Sequence, residues 1–313
     1  MTGGLLSRWL DSGALDLPLP GGGETARRWH RLAELAEADV VAARLAEAHT
    51  DALAIMAELG VSELKNDLLW GVWAAESRDA VLSVRDNEGV TTLDGTKVWC
   101  SGAGLCARAL VTARLDSGER GLFAVDLGHA GVQPLPSGWR NPGMAESDTR
   151  SVQFSGVPAM PVGRPGEYLS RPGFWHGAIG VAACWLGAAR AVAAPLYSRA
   201  ADDSADPHAL AHLGAVDAAL AAGEAMLDSA AAAVDEDPLN RKGMAEVIAR
   251  RTRAVIETAV EEAITRTGRA LGPAPLCQDA QHAKRVVDLT VYVRQSHAER
   301  DLERLGRLAG AAR

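Results

Sequence analysis

The chain has 313 residues, 48% apolar and 23% charged, which excludes a disordered or fibrous polymer and suffices for two or three globular domains. A formal net charge of −8 at pH 7 and a pI near 5.5 leave no unmatched basic stripe for a phosphate backbone, so nucleic acid is excluded as a partner and small-molecule chemistry is favoured. Four cysteines, Cys100, Cys106, Cys184 and Cys277, lack CxxC spacing and predict reduced thiols in a cytoplasmic protein with no metal centre. The N-terminus has no apolar h-region, and the most apolar stretch, 177–189, is too short to span a bilayer, so no membrane association is expected.

Residues 1–67 read as a helical region. A Pro/Gly loop over 18–23 leads to Thr25, a candidate N-cap, and apolar residues then recur at three- and four-residue spacing from Leu32 to Met56, with Gly60 as the stop. Residues 68–165 change character: short apolar runs at 68–73, 109–113, 121–125 and 151–154, punctuated by Gly, Pro, Asn and Asp, predict a small antiparallel barrel or sandwich. No GxGxxG opens a helix after a strand, and Gly21-Gly22-Gly23 follows a proline loop, so neither a Rossmann site nor a P-loop is supported. Residues 166–313 predict a four-helix bundle, with helices near 174–201, 208–234, 241–271 and 277–308 interrupted at Asp235–Pro238 and Gly272–Pro275. The class is therefore α+β. Alanine-rich faces such as Ala218, Ala221, Ala222 and Ala225 permit close helix approach and predict a homodimer or homotetramer.

One stretch carries more chemistry than the rest. Thr91–Gly104 places β-branched runs on both sides of Asp94-Gly95, the dipeptide suited to a type I′ hairpin turn. Strict strand alternation along the second arm sets Lys97, Trp99 and Ser101 on one face and Val98 and Cys100 on the other. That face would hold a planar ligand; the same pattern also describes an ordinary hairpin with a half-buried Trp.

Four stretches in this order resemble the acyl-CoA dehydrogenase family. Leu93–Ser101 is similar to the family's "L-N-G-x-K-x-W-I-T" flavin segment, and Val72–Glu76 stands where its "T-E-P" strand stands, with Ser77 for the proline. Gly143–Thr149 with Val152, Phe154, Val157 and Pro158 resembles "G-x-R-x-S-x-T…V-x-F-x-x-V-x-V-P". Gly187–Ala191 matches the first bundle helix. The resemblance implies N-terminal helices (1–67, shorter than the family's), a middle β domain (68–165) and a C-terminal four-helix bundle (166–313). It also implies FAD between the last two, with Trp99 against the flavin, the Ser101 hydroxyl near its N5, and backbone groups of Val72, Ala74 and Ala75 along its edge. An acyl thioester, such as an acyl-CoA, or a related small organic molecule would be the substrate.

The departures bear on mechanism. Val293 stands in place of the catalytic glutamate of "Y-E-G-T", and the alternative position near Gly177 and Ala178 is not acidic, so α-proton abstraction from a thioester has no base. The "R-x-x-F-G" arginine that reaches the cofactor pyrophosphate, expected around 199–203, is missing. Two histidines remain as candidate proton handlers: His176, beside the vacant first-helix position, and His297, read as one helical turn past Val293, where flavin monooxygenases of the same fold carry a histidine. A lone histidine on an apolar helix is usually a core residue, and Ser296–Asp301 also fits a salt-bridged surface. Glu146 is expected to be solvated. Two alternatives to the dehydrogenase follow: a flavin-dependent monooxygenase, or a non-catalytic subunit or binding module that pairs with a complete family member in a hetero-oligomer.

Overall fold

A computed structural model describes residues 2–61, 67–77, 80–87, 89–200 and 206–311. Two compact units emerge, one containing residues 1–17, 44–141 and 145–174, the other 18–43, 142–144 and 175–313. The N-terminal helices are thus divided. Helix α1 (Thr2–Asp11) and most of α3 (Val40–Glu58) belong to the first unit, whereas α2 (Thr25–Ala38) belongs to the second.

Within the first unit, seven strands form one sheet: β1 (Trp70–Trp73), β2 (Leu82–Asn87), β3 (Val90–Cys100), β4 (Arg108–Arg114), β5 (Arg120–Asp126), β6 (Val132–Pro134) and β7 (Arg150–Pro161). The pairings run β4-β2-β3-β7-β5 and return to β4, so the ladder closes into a ring. The sheet is mixed, not purely antiparallel as expected, because β1 and β2 both lie parallel to β4. Alternation does the sorting: Ala109, Val111 and Ala113 of β4 join Trp73, Leu93, Phe123, Val152 and Phe154 in one core. Leu110, on the other face, joins Ala52, Ile55 and Met56 of α3 with Trp70 and Tyr168. Gly60, at φ +78°, ends α3 as expected, with the Val61 amide donating to the Met56 carbonyl.

Asp94-Gly95 does not form the expected hairpin turn. β2 pairs with β3 from Leu82↔Gly95 through Asn87↔Val90, so Asp94-Gly95 sits inside a strand. The register slips between Leu93 and Gly95, Gly95 adopts φ +122°, and a Cβ there would run into the Val81 carbonyl oxygen. The Asp94 carboxylate accepts from the Gly156 amide at 2.9 Å. Asp-Gly suits a bulge as well as it suits a turn, since both need a left-handed residue.

The second unit is helical: α2, the long α5 (Gly173–Ala200), which it holds from Trp175 onward, α6 (Pro207–Glu236) and α7 (Ala245–Leu271). The single fourth helix expected over 277–308 is instead α8 (Ala274–Gln278), α9 (Ala280–Tyr292), a 3₁₀ turn over Val293–Gln295 and α10 (Glu299–Ala311). The short helix α4 (Glu167–Ser170) lies in the first unit. Helix α6 turns Val216, Leu220, Gly223, Leu227, Ala230 and Val234 inward at three- and four-residue spacing and packs on α7 and α2. Thr25 begins α2 and is not its cap: the Asp235 carboxylate of α6 accepts from the Gly23 and Thr25 amides and from the Thr25 hydroxyl. The small residues of the matched first-helix segment have a direct cause. A Cβ on Gly187 would collide with the Ala33 carbonyl oxygen of α2.

Candidate functional site

The end of β3 departs from strand geometry where the sequence placed its ligand face. Between Lys97 and Cys100 the register with β7 slips, and Trp99 takes φ +59°, a left-handed conformation costly for an aromatic residue. The slip breaks the alternation. Lys97 is buried at 4% exposure, Trp99 is 63% exposed, and Cys100 is buried in the core, so Lys97 and Trp99 do not share a face as expected. What remains outside is an indole with Trp139 edge-on at 6.5 Å and 86°.

Ser101 follows directly and its environment is hydroxyl-rich. Its carbonyl accepts from the Trp73 indole Nε1 at 2.9 Å, and its Oγ lies 3.0 Å from Thr149 Oγ1. Thr149 Oγ1 in turn lies 2.8 Å from Ser147 Oγ. The loop 101–104 is bound to 147–149 by main chain: the Gly102 amide donates to the Ser147 carbonyl at 2.7 Å and the Ala103 amide to the Asp148 carbonyl at 3.2 Å. The Asp148 carboxylate accepts from the Gly104 amide at 2.8 Å and from Arg150 Nε at 2.6 Å, with Asp148 itself at φ +46°. Glu146 is not merely solvated, since its carboxylate accepts from the Thr2 hydroxyl at 2.5 Å.

Lys97 points into the protein. Its ammonium donates to the Glu76 carboxylate at 3.0 Å and to the Thr112 carbonyl and hydroxyl, each at 2.8 Å. Loss of hydration pulls the Lys97 ammonium below its ordinary pKa more than the Glu76 carboxylate restores it. Burial alone would raise Glu76, but the hydrogen bond and charge of Lys97, aided by Thr112 and Arg120, hold it below the usual carboxylate value. This pair fastens the segment after β1, which ends at Trp73, so that Ala74 and Ala75 lie beyond the ladder while Val72 pairs with Leu110. The expected contact segment Val72, Ala74 and Ala75 is therefore tied to β3 through Glu76.

Both candidate histidines belong to the helical unit. His176 is buried at 3% exposure on α5. His297 does not continue the helix of Val293: α9 stops at Tyr292, and His297 lies between the 3₁₀ turn and α10, its side chain 68% exposed and its Nδ1 3.8 Å from Asp301. Val293 is buried at 1% exposure. The segment that was to carry the pyrophosphate arginine lies largely outside the described residues, which resume at 206.

No family model and no curated protein matches the chain. Solved structures do. The chain is similar to TdsC from Paenibacillus sp. A11-2 in complex with FMN and indole, at a TM-score of 0.80 and 20% identity over 92% of this chain and 84% of that one; TdsC is a dibenzothiophene monooxygenase. It is similar to KijD3 in complex with FMN and dTDP-3-amino-2,3,6-trideoxy-4-keto-3-methyl-D-glucose, at 0.80 and 18% over 98% and 86%. Methanesulfinate monooxygenase MsuC from Pseudomonas fluorescens matches at 0.75 and 21% over 96% and 88%. The fold is of the acyl-CoA dehydrogenase type.

Two parts of this site carry no signal in the sequence, and a third is misplaced by strand alternation. Thr149 and Ser147 belong to a matched motif but gave no sign of meeting Ser101, because that contact depends on the pairing of β3 with β7. Trp139 sits in a Pro/Gly loop with no periodicity to place it. Alternation puts Lys97 on the ligand face, and the register slip before Cys100 invalidates it.

Proposed function

We propose that this protein is a flavin-dependent monooxygenase of a small organic molecule, holding FMN at Trp99 and Ser101. The observation that carries this reading is Trp99 itself: a large aromatic side chain is held mostly in water on a strained backbone, with the edge of Trp139 as its ring contact and Ser101 two residues on. Such a face suits an isoalloxazine, with Ser101 able to donate to or accept from the ring edge and backbone groups of Val72, Ala74 and Ala75 bordering it. FMN is preferred to FAD because the chain lacks the pyrophosphate arginine of the dehydrogenases and because TdsC and KijD3 are seen with FMN. Monooxygenation is preferred to thioester dehydrogenation because Val293 is buried and apolar where the dehydrogenase base would stand. It is also the activity named for TdsC and MsuC.

When bound, a reduced flavin supplies the electrons that activate molecular oxygen. The chain's own part is to bind and orient: Trp99 offers the stacking face, Ser101 a single directed hydroxyl, and the Lys97–Glu76 pair a fixed segment along the edge. A histidine, His297 or His176, handles the proton, and alanine at the acting one should lower turnover while FMN binding is retained. A second copy is proposed to cover α6, whose most apolar 18-residue window is only 22% buried although its mean hydropathy is 1.3. Titration of the purified chain with FMN tests the reading. A saturable yellow complex that Trp99→Ala weakens at least tenfold is expected, while a wild-type chain that leaves FMN fluorescence unchanged would sink it.

A further inference from the structure

Ser101, Thr149 and Ser147 form a line of three hydroxyls, with Oγ···Oγ1 separations of 3.0 and 2.8 Å. Each hydroxyl has one proton and two lone pairs, so the line can run in two polarities, of which only the first engages the buried Ser147 proton within the line. In one, Ser147 donates to Thr149 and Thr149 to Ser101, which leaves the Ser101 proton directed away from the line. In the other, Ser101 donates to Thr149 and Thr149 to Ser147, which leaves a Ser101 lone pair directed away from it. Changing between them moves protons by rotation about C–O bonds and no heavy atom.

The heavy atoms are fixed independently. Main-chain hydrogen bonds from Gly102 and Ala103 to residues 147 and 148, and the Asp148 carboxylate on the Gly104 amide, hold the two segments together without using any of the three hydroxyls. Ser147 is 2% exposed, so the far end of the line does not exchange partners freely with water.

We propose that Thr149 and Ser147 are positioning residues that set the hydrogen-bond polarity of the Ser101 hydroxyl toward the flavin ring edge. The inference rests on the placement of FMN at Ser101. With the buried Ser147 proton engaged on Thr149, the line presents the Ser101 proton to a ring-edge nitrogen that accepts a hydrogen bond. Thr149 acts only through Ser101.

The test is a double-mutant cycle read by FMN dissociation constants from fluorescence quenching on the full chain. Ser101→Ala is expected to weaken FMN about tenfold, and Thr149→Val, which keeps the shape and removes the hydroxyl, about three- to tenfold. Thr149→Ser should restore wild-type affinity within about twofold, and Ser147→Ala should show a smaller loss than Thr149→Val because it is one bond further away. The Ser101→Ala, Thr149→Val double variant should bind no more weakly than Ser101→Ala alone. An unchanged Thr149→Val, a Thr149→Ser that fails to rescue, or losses that add in the double variant would each overturn the inference, since a role in packing alone survives loss of Ser101. Should Thr149→Val fail to fold, Ser147→Ala in the Ser101→Ala background completes the same cycle. A wild-type chain that binds no FMN overturns the flavin placement and this inference together, and that result is visible before any variant is made.

Discussion

In the helical unit, left-handed backbone at non-glycine residues serves helix starts and loop anchors. Asn240, at φ +51°, directs its side-chain oxygen to the Ala245 amide at the head of α7. Ala298, at +45°, precedes α10, and Met144, at +57°, donates its amide to Asp288 at 2.6 Å. In the sheet unit the same conformation occurs at Trp99 and Asp148, on either side of the Ser101–Thr149–Ser147 line. At Asn240 and Met144 it completes hydrogen bonds that tie a loop to a helix. At Trp99 it holds an indole out in water, with the edge of Trp139 against it. Strain that satisfies the backbone explains itself, whereas strain that exposes a side chain points to a ligand.

The largest effect that would sharpen this contrast lies under the site. Glu76→Ala leaves the Lys97 ammonium buried without its carboxylate and should destabilise the chain by about 3 kcal/mol in denaturant unfolding, while Lys97→Met, which leaves a one-third-exposed Glu76 beside Arg120, should cost well under half of that. The pH dependence follows from the directions of the shifts. Glu76 is depressed in the folded state, so its contribution is present above about pH 4.5 and is lost as pH falls through the lower folded value. Lys97 is also depressed, so stability rises as pH climbs toward the ordinary lysine pKa. Glu76→Gln should flatten the acid limb in a pH series of melting curves, and an unchanged limb would remove the pair as its source.

Glycines in the helical unit give the next largest effect, and they divide by contact. Gly187→Ala should destabilise by about 2 kcal/mol, because α2 lies against that position and its backbone must shift. Gly268→Ala, with nothing within 4 Å of the added Cβ, should stabilise by about 0.5–1 kcal/mol through helix propensity. Equal effects at the two would contradict the packing assigned to α5 and α2.

Trp99→Gly separates strain from fold directly. Relief of the left-handed backbone offsets the loss of the Trp139 contact, so stability should change by less than about 1 kcal/mol while FMN affinity falls at least tenfold. A large destabilisation would make Trp99 a packing residue. The smallest effect concerns thiols: burial pushes both Cys100 and Cys106 up to about 12, and Cys184 is buried, so a thiol reagent should label Cys277 alone in the native protein, with all four reacting after unfolding.

Sequence by itself determined the succession of helical, sheet and helical regions, the stop at Gly60, and the segments from which the site is built, because these depend on local periodicity and on motif spacing. Tertiary structure decided the rest. Whether Asp94-Gly95 turned or bulged depended on which strand lay opposite, and the Val81 carbonyl made glycine obligatory there. Whether Lys97 faced a ligand or the core depended on a one-residue slip against β7, which no alternation rule contains. Breaking the fourth helix at Val293 left His297 off the face of α9, and only the pairing of β3 with β7 brought Ser101 to Thr149 and Ser147. Local sequence fixes the conformations a segment favours, but the hydrogen-bond partners that choose among them come from distant parts of the chain.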